Sequence, residues 1–146
     1  MARVKLEIPP KKLGTISIPV RITDINYGNH VGNDSFVSII HEARVAFLTQ
    51  HNYSELNIGG VGIIMSDLSI EFKREGIYGD IIDIEISAGD ISKKSFELYY
   101  QLSAKRNGET YLLSIAKTGM VCYDYALKKV ADIPYEFKKL LEAYYD

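Results

Sequence analysis

The sequence predicts an α+β fold in which a five-stranded antiparallel sheet is wrapped around one long central helix, with a short helix at the end of the chain. Three observations support this prediction. Four stretches alternate apolar and polar residues with the period of two that half-buried strands show, and a fifth strand is predicted from a stretch that is apolar on both faces for part of its length. One long stretch is apolar around most of a helix. The strands that follow it are joined by short turns, which is typical of antiparallel pairing.

The first strand is predicted where Ile16, Ile18, Val20 and Ile22 alternate with polar residues. Pro19 lies inside this stretch, and a proline cannot donate a hydrogen bond to a neighbouring strand. We therefore expect this strand at an edge of the sheet.

The central helix is predicted over residues 34–52, where DSFVSIIHEARVAFLTQHN is apolar around most of the helix circumference. Asn33, Asp34 and Ser35 are residue types that cap helix starts, and Asn52 lies just past the end. A helix that is apolar nearly all round is expected to be buried.

Four further strands are predicted after the helix, the third leading into the fourth through a hairpin turn centred on Asn107-Gly108. Their ranges are 67–73, 82–88, 96–104 and 110–124. The last strand is apolar on both faces for part of its length, which predicts a central position or an interface. Because short turns join the four strands, we expect them to pair in sequence order as a meander.

A short amphipathic helix is predicted over residues 135–145. Its apolar residues are Phe137, Leu140, Leu141 and Tyr144. No internal repeat or linker interrupts the chain, so residues 1–146 are expected to form a single domain. A single open sheet leaves edges exposed, and we therefore expect a homodimer or a homotetramer.

The composition of the 146 residues excludes several classes of function. A net charge of −2 provides no basic surface for nucleic acid or for an anionic membrane, so neither is expected as a partner. The start of the sequence lacks the apolar segment of a signal peptide, and no apolar run is long enough to span a bilayer. The single cysteine, Cys122, excludes an internal disulfide and suits a reducing compartment. A cytoplasmic location is therefore expected.

The stretch DINYGNHVGNDSF, residues 24–36, contains the densest group of polar side chains and lies between the first strand and the central helix. The start of a helix presents unpaired N–H groups that can bind negative charge. Gly32, just before that start, would let a ligand approach the backbone closely. The stretch is therefore predicted to be a ligand-binding loop.

Residues 20–48, VRITDINYGNHVGNDSFVSIIHEARVAFL, resemble the signature of the hotdog-fold acyl-CoA thioesterases of the 4-hydroxybenzoyl-CoA thioesterase type. In that signature Asp-x-Asp is followed by His-Val, Asn-Asn and a helix bearing Glu-Ala-Arg. Residues 70–80, IEFKREGIYGD, resemble the strand end and Gly-Asp turn of the same family. The resemblance extends from Leu13 to Tyr135. It implies the hotdog fold and the hydrolysis of an acyl thioester, of coenzyme A or of a carrier protein, to a free acid and a thiol. It implies no cofactor other than the coenzyme A of the substrate.

The resemblance also implies a set of site residues. In such enzymes the N–H groups at the start of the central helix stabilise the oxyanion, and a carboxylate acts as nucleophile or general base. The corresponding N–H groups belong here to Asn33, Asp34 and Ser35. The catalytic aspartate of the family aligns with Asn26, whose amide cannot act as a base but could donate a hydrogen bond to water or to the thioester carbonyl.

Three carboxylates are therefore candidates for the base. Asp24 lies two residues before Asn26 on the predicted strand. Asp34 lies at the helix start, where the helix dipole stabilises a carboxylate. Glu42 lies about two turns into the helix. Each has a structural alternative: an Asx-turn for Asp24, an N-cap for Asp34, and for Glu42 a buried pair with Arg44 or with a cation of a partner chain.

The histidines and Tyr27 also have both functional and structural interpretations. His30 is a candidate for a contact with the substrate or with its own loop, and Tyr27 is a candidate substrate contact. His41 is expected to be a hydrogen-bonded core residue. The three histidines lack the spacing of a metal-binding helix, so no metal site is predicted.

Two basic pairs are candidates for binding the phosphates of coenzyme A, because both lie at strand ends or turns where a cation can reach a diphosphate. The pairs are Lys73-Arg74 and Lys93-Lys94. The alternative for both is ordinary solvated charge.

Two other functions compete with thioester hydrolysis. Hotdog enoyl-CoA hydratases carry Asp-x-Asn-Pro-x-His, with the Asp and the His as the acid–base pair. Asp24-Ile25-Asn26 followed by His30 is similar, although it has one residue too many and Tyr27 in place of the proline. The other alternative is a protein that binds acyl thioesters without catalysis, which the asparagine at position 26 favours.

Overall fold

The computed structural model describes residues 3–143, and in it one antiparallel sheet packs against a long helix. The strands are β1 (Lys12–Pro19), β2 (Gly62–Phe72), β3 (Ile81–Ile91), β4 (Ser95–Arg106), β5 (Glu109–Asp124) and β6 (Lys129–Val130). The helices are α1 (Asn33–Gln50) and α2 (Tyr135–Glu142). The predicted α+β architecture is confirmed, with β6 as a short addition to the five expected strands. Tyr144, which was assigned to the last helix, lies outside the described residues.

The order of the strands differs from the expected meander. It is β1-β3-β4-β5-β2, with β6 beside the end of β5. The meander comprises β3, β4 and β5 alone, because β2 pairs with β5 and not with β3. Residues 73–80 therefore carry the chain across one end of the sheet. β5 has β4 and β2 as neighbours, which confirms its central position, and β1 forms an edge, as Pro19 predicted.

The first strand ends earlier than its alternation predicted. β1 stops at Pro19, and residues Ile22–Asp24 form a single 3₁₀ turn. The Val20 N–H donates to the Asp80 carbonyl at 2.9 Å, and beyond this residue the chain leaves the sheet. The alternation of apolar and polar residues extended the predicted strand too far, because Ile22 is apolar but 68 % exposed.

The core lies between α1 and the sheet. The helix contributes six buried apolar side chains, Phe36, Ile39, Ile40, Ala43, Phe47 and Leu48. Full burial of one large apolar side chain stabilises a fold by about 1.5–3 kcal/mol, so this face anchors the helix. The expectation of burial nearly all round is wrong for the single chain. One exposed stripe runs along α1, formed by Asp34, Ser38, His41, Glu42, Val45 and Thr49.

A buried polar network joins α1 to the sheet. Arg44 is only 5 % exposed; its Nε donates to Glu55 at 2.9 Å and its Nη1 to the Tyr100 hydroxyl at 3.3 Å. The Tyr100 hydroxyl in turn shares a hydrogen bond of 2.8 Å with Thr118 Oγ1. Burial alone would lower the pKa of Arg44, but Tyr100 and Glu55 raise it overall, so the guanidinium stays charged.

This network corrects two expectations about α1. Arg44 pairs with Glu55 from the loop after the helix and not with Glu42, which is exposed. His41 is hydrogen-bonded, with its Nε2 2.6 Å from Glu55 Oε1, but its side chain is 57 % exposed and not part of the core. The sequence showed no sign of Glu55, because its position depends on how the loop folds back along the helix.

Candidate functional site

The helix α1 begins without a side-chain cap. Its N-cap residue is Gly32, and the first backbone bond runs from the Phe36 N–H to the Gly32 carbonyl at 3.1 Å. The N–H groups of Asn33, Asp34 and Ser35 have no acceptor within residues 3–143. The N-cap interpretation of Asp34 is therefore wrong, because Asp34 is the second residue of the helix. Free N–H groups at a helix start can bind an anion or a polarised carbonyl oxygen.

The loop before the helix is organised by Asn26. Its Oδ1 accepts hydrogen bonds from the N–H groups of Gly28 at 2.9 Å and His30 at 3.3 Å. Its own N–H donates to the His30 carbonyl at 2.8 Å. The Asn26 side chain is exposed, and its NH₂ group makes no hydrogen bond in the described part of the chain. The oxygen of this amide therefore shapes the loop, while the nitrogen is available to a ligand.

Asp24 is tied into the same loop. It is 4 % exposed, and it accepts hydrogen bonds from the Arg21 N–H at 2.8 Å and from Arg21 Nη2 at 3.4 Å. Its carbonyl accepts the Gly32 N–H at 3.0 Å, which joins the two ends of the motif. This supports the structural interpretation of Asp24.

Asp24 and Glu42 lie together on the β1 side of α1. Both line a cavity of about 360 Å³, with Arg21 and Ser38 also in its wall. Glu42 is nine residues after Asn33, which corresponds to about 13 Å of helix rise. The structure thus brings these two carboxylates together, but it does not place Glu42 on the turn that carries the free N–H groups.

Asp34 is the candidate carboxylate on that first turn. It is exposed, and its Oδ1 lies 2.6 Å from the position that a Cβ atom on Gly32 would occupy. The carboxylate therefore covers the open side of Gly32, beside the free N–H groups.

The crossing loop, residues 73–80, forms the other wall of the site. The Val31 N–H donates to the Gly76 carbonyl at 2.8 Å, and His30 Nε2 lies 2.8 Å from Glu75 Oε2. A cavity of about 180 Å³ lies between this loop and the helix start. Its lining residues are Val31, Asn33, Phe36, Phe72, Lys73, Arg74 and Glu75. Glu75 was not predicted, because its approach to His30 depends on the crossing between β2 and β3.

Asp80 and Arg106 hold the crossing loop in place. Arg106 Nε donates to Asp80 Oδ1 at 2.9 Å and Nη2 to Oδ2 at 2.6 Å, and Nη2 also donates to the Glu75 carbonyl at 3.0 Å. Burial alone would raise the pKa of Asp80, but the hydrogen bonds from Arg106 and from the Ile77 N–H outweigh burial and lower it. The Gly-Asp turn was visible in the sequence, whereas its arginine partner was not.

The first basic pair lies at the candidate site. The N–H groups of Lys73 and Arg74 both donate to the Leu113 carbonyl, at 2.8 and 3.1 Å. The Arg74 guanidinium lies over the Tyr111 ring, 4.9 Å from its centre. Both side chains line the cavity at the helix start, and the structure therefore brings this pair next to Asn33.

The second basic pair lies at the opposite end of the sheet. Lys93 and Lys94 lie in the turn after β3, with their Nζ atoms 3.8 and 2.7 Å from Asp132. The Lys94 carbonyl accepts the N–H of Cys122, which is nine residues along β5 from Leu113. At about 3.4 Å per residue, roughly 30 Å separates the two pairs. Within one chain they cannot serve the same diphosphate.

The remaining sequence candidates have simple surroundings. Tyr27 is fully exposed in the motif loop, which comprises residues 24–32 before α1. Cys122 is buried, and burial raises the pKa of its thiol to about 11, so it is not a thiolate near neutral pH. Within residues 3–143, no three His, Cys, Asp or Glu side chains are grouped so as to hold a metal ion. No helix in this part of the chain is long and apolar enough to cross a membrane.

Comparison with solved structures identifies the fold. Slr0204, a 1,4-dihydroxy-2-naphthoyl-CoA thioesterase from Synechocystis, is 24 % identical with a TM-score of 0.76, over 87 % of this chain and 93 % of that chain. A mutant 4-hydroxybenzoyl-CoA thioesterase in complex with 4-hydroxybenzoyl-CoA is 17 % identical with a TM-score of 0.77, over 87 % and 96 %. The DHNA-CoA thioesterase from Staphylococcus aureus is 14 % identical with a TM-score of 0.73, over 88 % and 85 %. At such identities the likeness shows the fold, and it confirms the hotdog architecture.

The family of this protein is shown by comparison of its sequence with protein families. Among curated protein sequences none matches this chain significantly. Residues 20–141, however, match the sequence model of the Thioesterase-like superfamily. This range contains the motif loop, α1 and the crossing loop, and it confirms the resemblance on which the site residues were assigned. The chain is a hotdog-fold member of the thioesterase-like superfamily.

Proposed function

We propose that the protein hydrolyses an acyl thioester of coenzyme A to a free acid and a thiol. The observation that carries this proposal is the uncapped start of α1, where three N–H groups lack acceptors among the described residues and lie beside a cavity lined by Lys73 and Arg74. Membership of the thioesterase-like superfamily supports the reaction type. The related structures named above act on coenzyme A thioesters, which favours coenzyme A over a carrier protein.

The start of the helix would bind the carbonyl oxygen of the thioester. The N–H groups of Asn33, Asp34 and Ser35 are oriented by the helix and need no rearrangement when negative charge develops on that oxygen. Gly32 has no side chain, which leaves room for the Asp34 carboxylate beside these N–H groups. Loss of a single donor of this type typically slows an enzyme by about 10²–10³-fold, so this contribution is large.

The carboxylate of Asp34 is the best placed base. It takes a proton from a water molecule, whose oxygen forms a bond to the carbonyl carbon; the tetrahedral intermediate then collapses with cleavage of the C–S bond. The leaving thiolate receives the proton that Asp34 took from the water, so that Asp34 is again a carboxylate and one water has been consumed to form one acid and one thiol. The free NH₂ group of Asn26 would orient the water. Asp24 is committed to Arg21, and Glu42 is more than one turn too far along the helix.

The two cations of the crossing loop would bind the phosphates of coenzyme A. Arginine and lysine form charge-assisted hydrogen bonds with phosphate oxygens. Their backbones are fixed on Leu113, which keeps the loop at the helix start.

We also propose that two copies associate through β2. This strand is an edge of the sheet, and its Ile64, Met65 and Phe72 side chains are 41, 42 and 47 % exposed. An exposed apolar edge strand is a template for pairing with another chain. Sedimentation analysis would show a dimer, and Met65→Lys would shift the equilibrium toward the monomer.

The test of the enzymatic proposal is thiol release from a panel of acyl-CoA thioesters by the protein and three matched variants. We expect Asp34→Asn to lower the rate at least about 100-fold without loss of stability. Glu42→Gln should have little effect, and Asp24→Asn should lower stability. Loss of activity in Glu42→Gln with retention in Asp34→Asn would make the base assignment wrong. Binding without release would identify a non-catalytic binding protein, and loss of an enoyl chromophore without release would identify a hydratase.

A further inference from the structure

The guanidinium of Arg74 lies against an aromatic ring. Its central carbon is 4.9 Å from the centre of the Tyr111 ring. A cation within about 6 Å of such a centre is attracted by the negative charge on the face of the ring. The Arg74 side chain forms no salt bridge and no hydrogen bond with residues 3–143. Its five N–H donors therefore remain available to a ligand.

Tyr111 is placed for this contact by the pairing of β5 with β4. It pairs with Ala104, which is completely buried in the core. Because directly paired residues of antiparallel strands point to the same face, Tyr111 lies on the face of the sheet that packs against α1. The residue is half-buried against the core, and its hydroxyl donates to Glu109 at 2.9 Å. The ring is therefore fixed by core packing and by a hydrogen bond at its hydroxyl.

A second guanidinium lies against the same ring. The central carbon of Arg106 is 5.3 Å from the centre of the Tyr111 ring. The hydrogen bonds from Arg106 to Asp80 raise the pKa of this arginine, and the carboxylate balances its charge. Two arginines close to one ring would repel each other, and Asp80 reduces that repulsion. Arg106 is thus engaged with the crossing loop, whereas the charge of Arg74 is open to a ligand.

Arg74 differs in this respect from the lysines of the two basic pairs. Lys73 Nζ donates to Glu71 Oε1 at 2.6 Å, and Lys94 Nζ donates to Asp132 Oδ1 at 2.7 Å. A phosphate would compete with a carboxylate for either lysine, but it meets no such competitor at Arg74. Arginine can also donate two parallel hydrogen bonds to phosphate oxygens. Arg74 is therefore the best placed of these cations to bind a phosphate.

The carboxylates that flank this region have other partners. Glu75, which lines the same cavity as Arg74, has its Oε2 2.8 Å from His30 Nε2. Glu109 accepts the hydrogen bond from the Tyr111 hydroxyl. A cation that is held in one position, and that has no carboxylate partner among the described residues, suits an anionic group of a substrate.

We propose that Tyr111 is a positioning residue for substrate binding, and that its ring holds the Arg74 guanidinium where it meets the phosphates of coenzyme A. This inference rests on the proposed function. A mobile arginine side chain loses conformational entropy when it binds a phosphate, and the ring reduces that loss because the side chain is ordered before the substrate arrives. Tyr111 should therefore affect binding of the substrate and not the chemical step.

The test measures thiol release from an acyl-CoA and from the corresponding acyl-pantetheine, which lacks the phosphates. We expect Tyr111→Leu to raise KM for the acyl-CoA about fivefold, with kcat and the KM for the acyl-pantetheine unchanged. Tyr111→Phe keeps the ring and should retain the KM of the wild type. Arg74→Lys keeps the charge but loses the planar group that lies against the ring, so it should raise KM for the acyl-CoA by a similar factor.

A double variant distinguishes positioning from a general structural effect. In an Arg74→Gln background, Tyr111→Leu should cause no further rise in KM, because the residue through which it acts is absent. Tyr135→Leu is the matched control. Tyr135 is exposed on α2 and has Lys139 Nζ 5.0 Å from its ring centre, so this variant removes a similar contact away from the site. It should leave both KM values unchanged.

Calorimetry with coenzyme A and with pantetheine measures the same contact without hydrolysis. The dissociation constant of coenzyme A should rise about fivefold in Tyr111→Leu, and that of pantetheine should stay the same. This shift in a protein that hydrolyses no acyl-CoA would support the inference and overturn the proposed function. Hydrolysis with an unchanged KM in Tyr111→Leu would overturn the inference and leave the proposed function standing.

Two further results would also overturn the inference. One is a rise in KM that persists in the Arg74→Gln background, and the other is a rise of equal size with the acyl-pantetheine. If Tyr111→Leu does not fold, Arg74→Lys decides in its place, and an unchanged KM for the acyl-CoA in that variant would overturn the inference.

Discussion

Arg106 donates two parallel hydrogen bonds to the carboxylate of Asp80. This pair connects the end of β4 to the crossing loop and keeps that loop next to the start of α1. The side chain of Asp80 is 3 % exposed. Removal of one partner from such a buried pair leaves an uncompensated charge and costs about 3–5 kcal/mol. We expect Asp80→Asn to lower the free energy of unfolding by about 3 kcal/mol in urea titrations. Asp90→Asn, at an exposed position, should change it by less than about 0.5 kcal/mol; equal effects would contradict the assigned role.

The same pair predicts an acid-sensitive component of stability. The pKa of Asp80 is lower in the folded protein than the value of about 3.9 expected for an unfolded aspartate. The contribution of its carboxylate is therefore complete above the unfolded pKa and is lost as the pH falls through the folded pKa. The difference in unfolding free energy between the wild type and Asp80→Asn should be constant near neutral pH and shrink below about pH 4. A difference that grew on acidification would show that the sign is wrong.

Asn26→Asp should restore the family's carboxylate without loss of the loop. A carboxylate can accept the Gly28 and His30 N–H groups that the amide oxygen accepts now. We expect unchanged stability and a rise in thioester hydrolysis of at least about tenfold, measured by thiol release, because a second base beside Asp34 would lie directly before the oxyanion donors and would outweigh the loss of the Asn26 NH₂ donor. Asn26→Ala, which removes the acceptor, should instead lower stability. An Asp variant that folds but hydrolyses no faster would argue against this alignment of the motif.

Gly32→Ala tests the approach to the helix start. The backbone of Gly32 has a φ of −68°, which alanine adopts readily, so we expect the fold to be retained. The new methyl group would meet Asp34 Oδ1 at 2.6 Å and force that carboxylate to move. We expect kcat/KM to fall by about 10²-fold, as for other small displacements of reacting groups. Gly14→Ala, whose nearest contact is 3.7 Å from Phe47, is the control and should retain full activity.

The two basic pairs form a matched comparison for the recognition of coenzyme A. Replacing Lys73 and Arg74 by glutamine should raise KM for an acyl-CoA about tenfold and leave KM for the corresponding acyl-pantetheine unchanged, because only the former carries the diphosphate. The same replacement at Lys93 and Lys94 should affect neither substrate. If the second pair proves to be the one that matters, the phosphates are bound at the other end of the sheet.

Local sequence patterns predicted the strands and helices well. The features that they missed depend on pairing between residues that are far apart in the sequence. The alternation in residues 82–88 and 96–104 reports burial on one face of a strand, a property of each strand alone, and those strands are present. The partner of β2 depends on which edge remains open after β3, β4 and β5 have paired, and no local pattern carries that information. For the same reason the sequence placed Asn33 at a helix start and Lys73 at a strand end but could not bring them together.

The site residues also divide into those placed by local sequence and those placed by long-range contacts. The motif loop and the helix start are adjacent in sequence, so the free N–H groups of Asn33 to Ser35 followed from the position of one helix boundary. Glu55, Glu75 and Arg106 reach their partners from 11, 45 and 26 residues away, in contacts with Arg44, His30 and Asp80. Charged residues in turns are common, and nothing local distinguishes these three from solvated ones.

The crossing loop has one further consequence, for how the protein can evolve. Its eight residues, 73–80, both carry the chain from β2 to β3 and present two cations to the start of α1. An insertion there would displace Lys73 and Arg74 and would at the same time loosen the connection between β2 and β3. In the described residues the exposed turn at Asn107-Gly108, between β4 and β5, presents no group to the site. Length variation should therefore accumulate at that turn and be rare in the crossing loop.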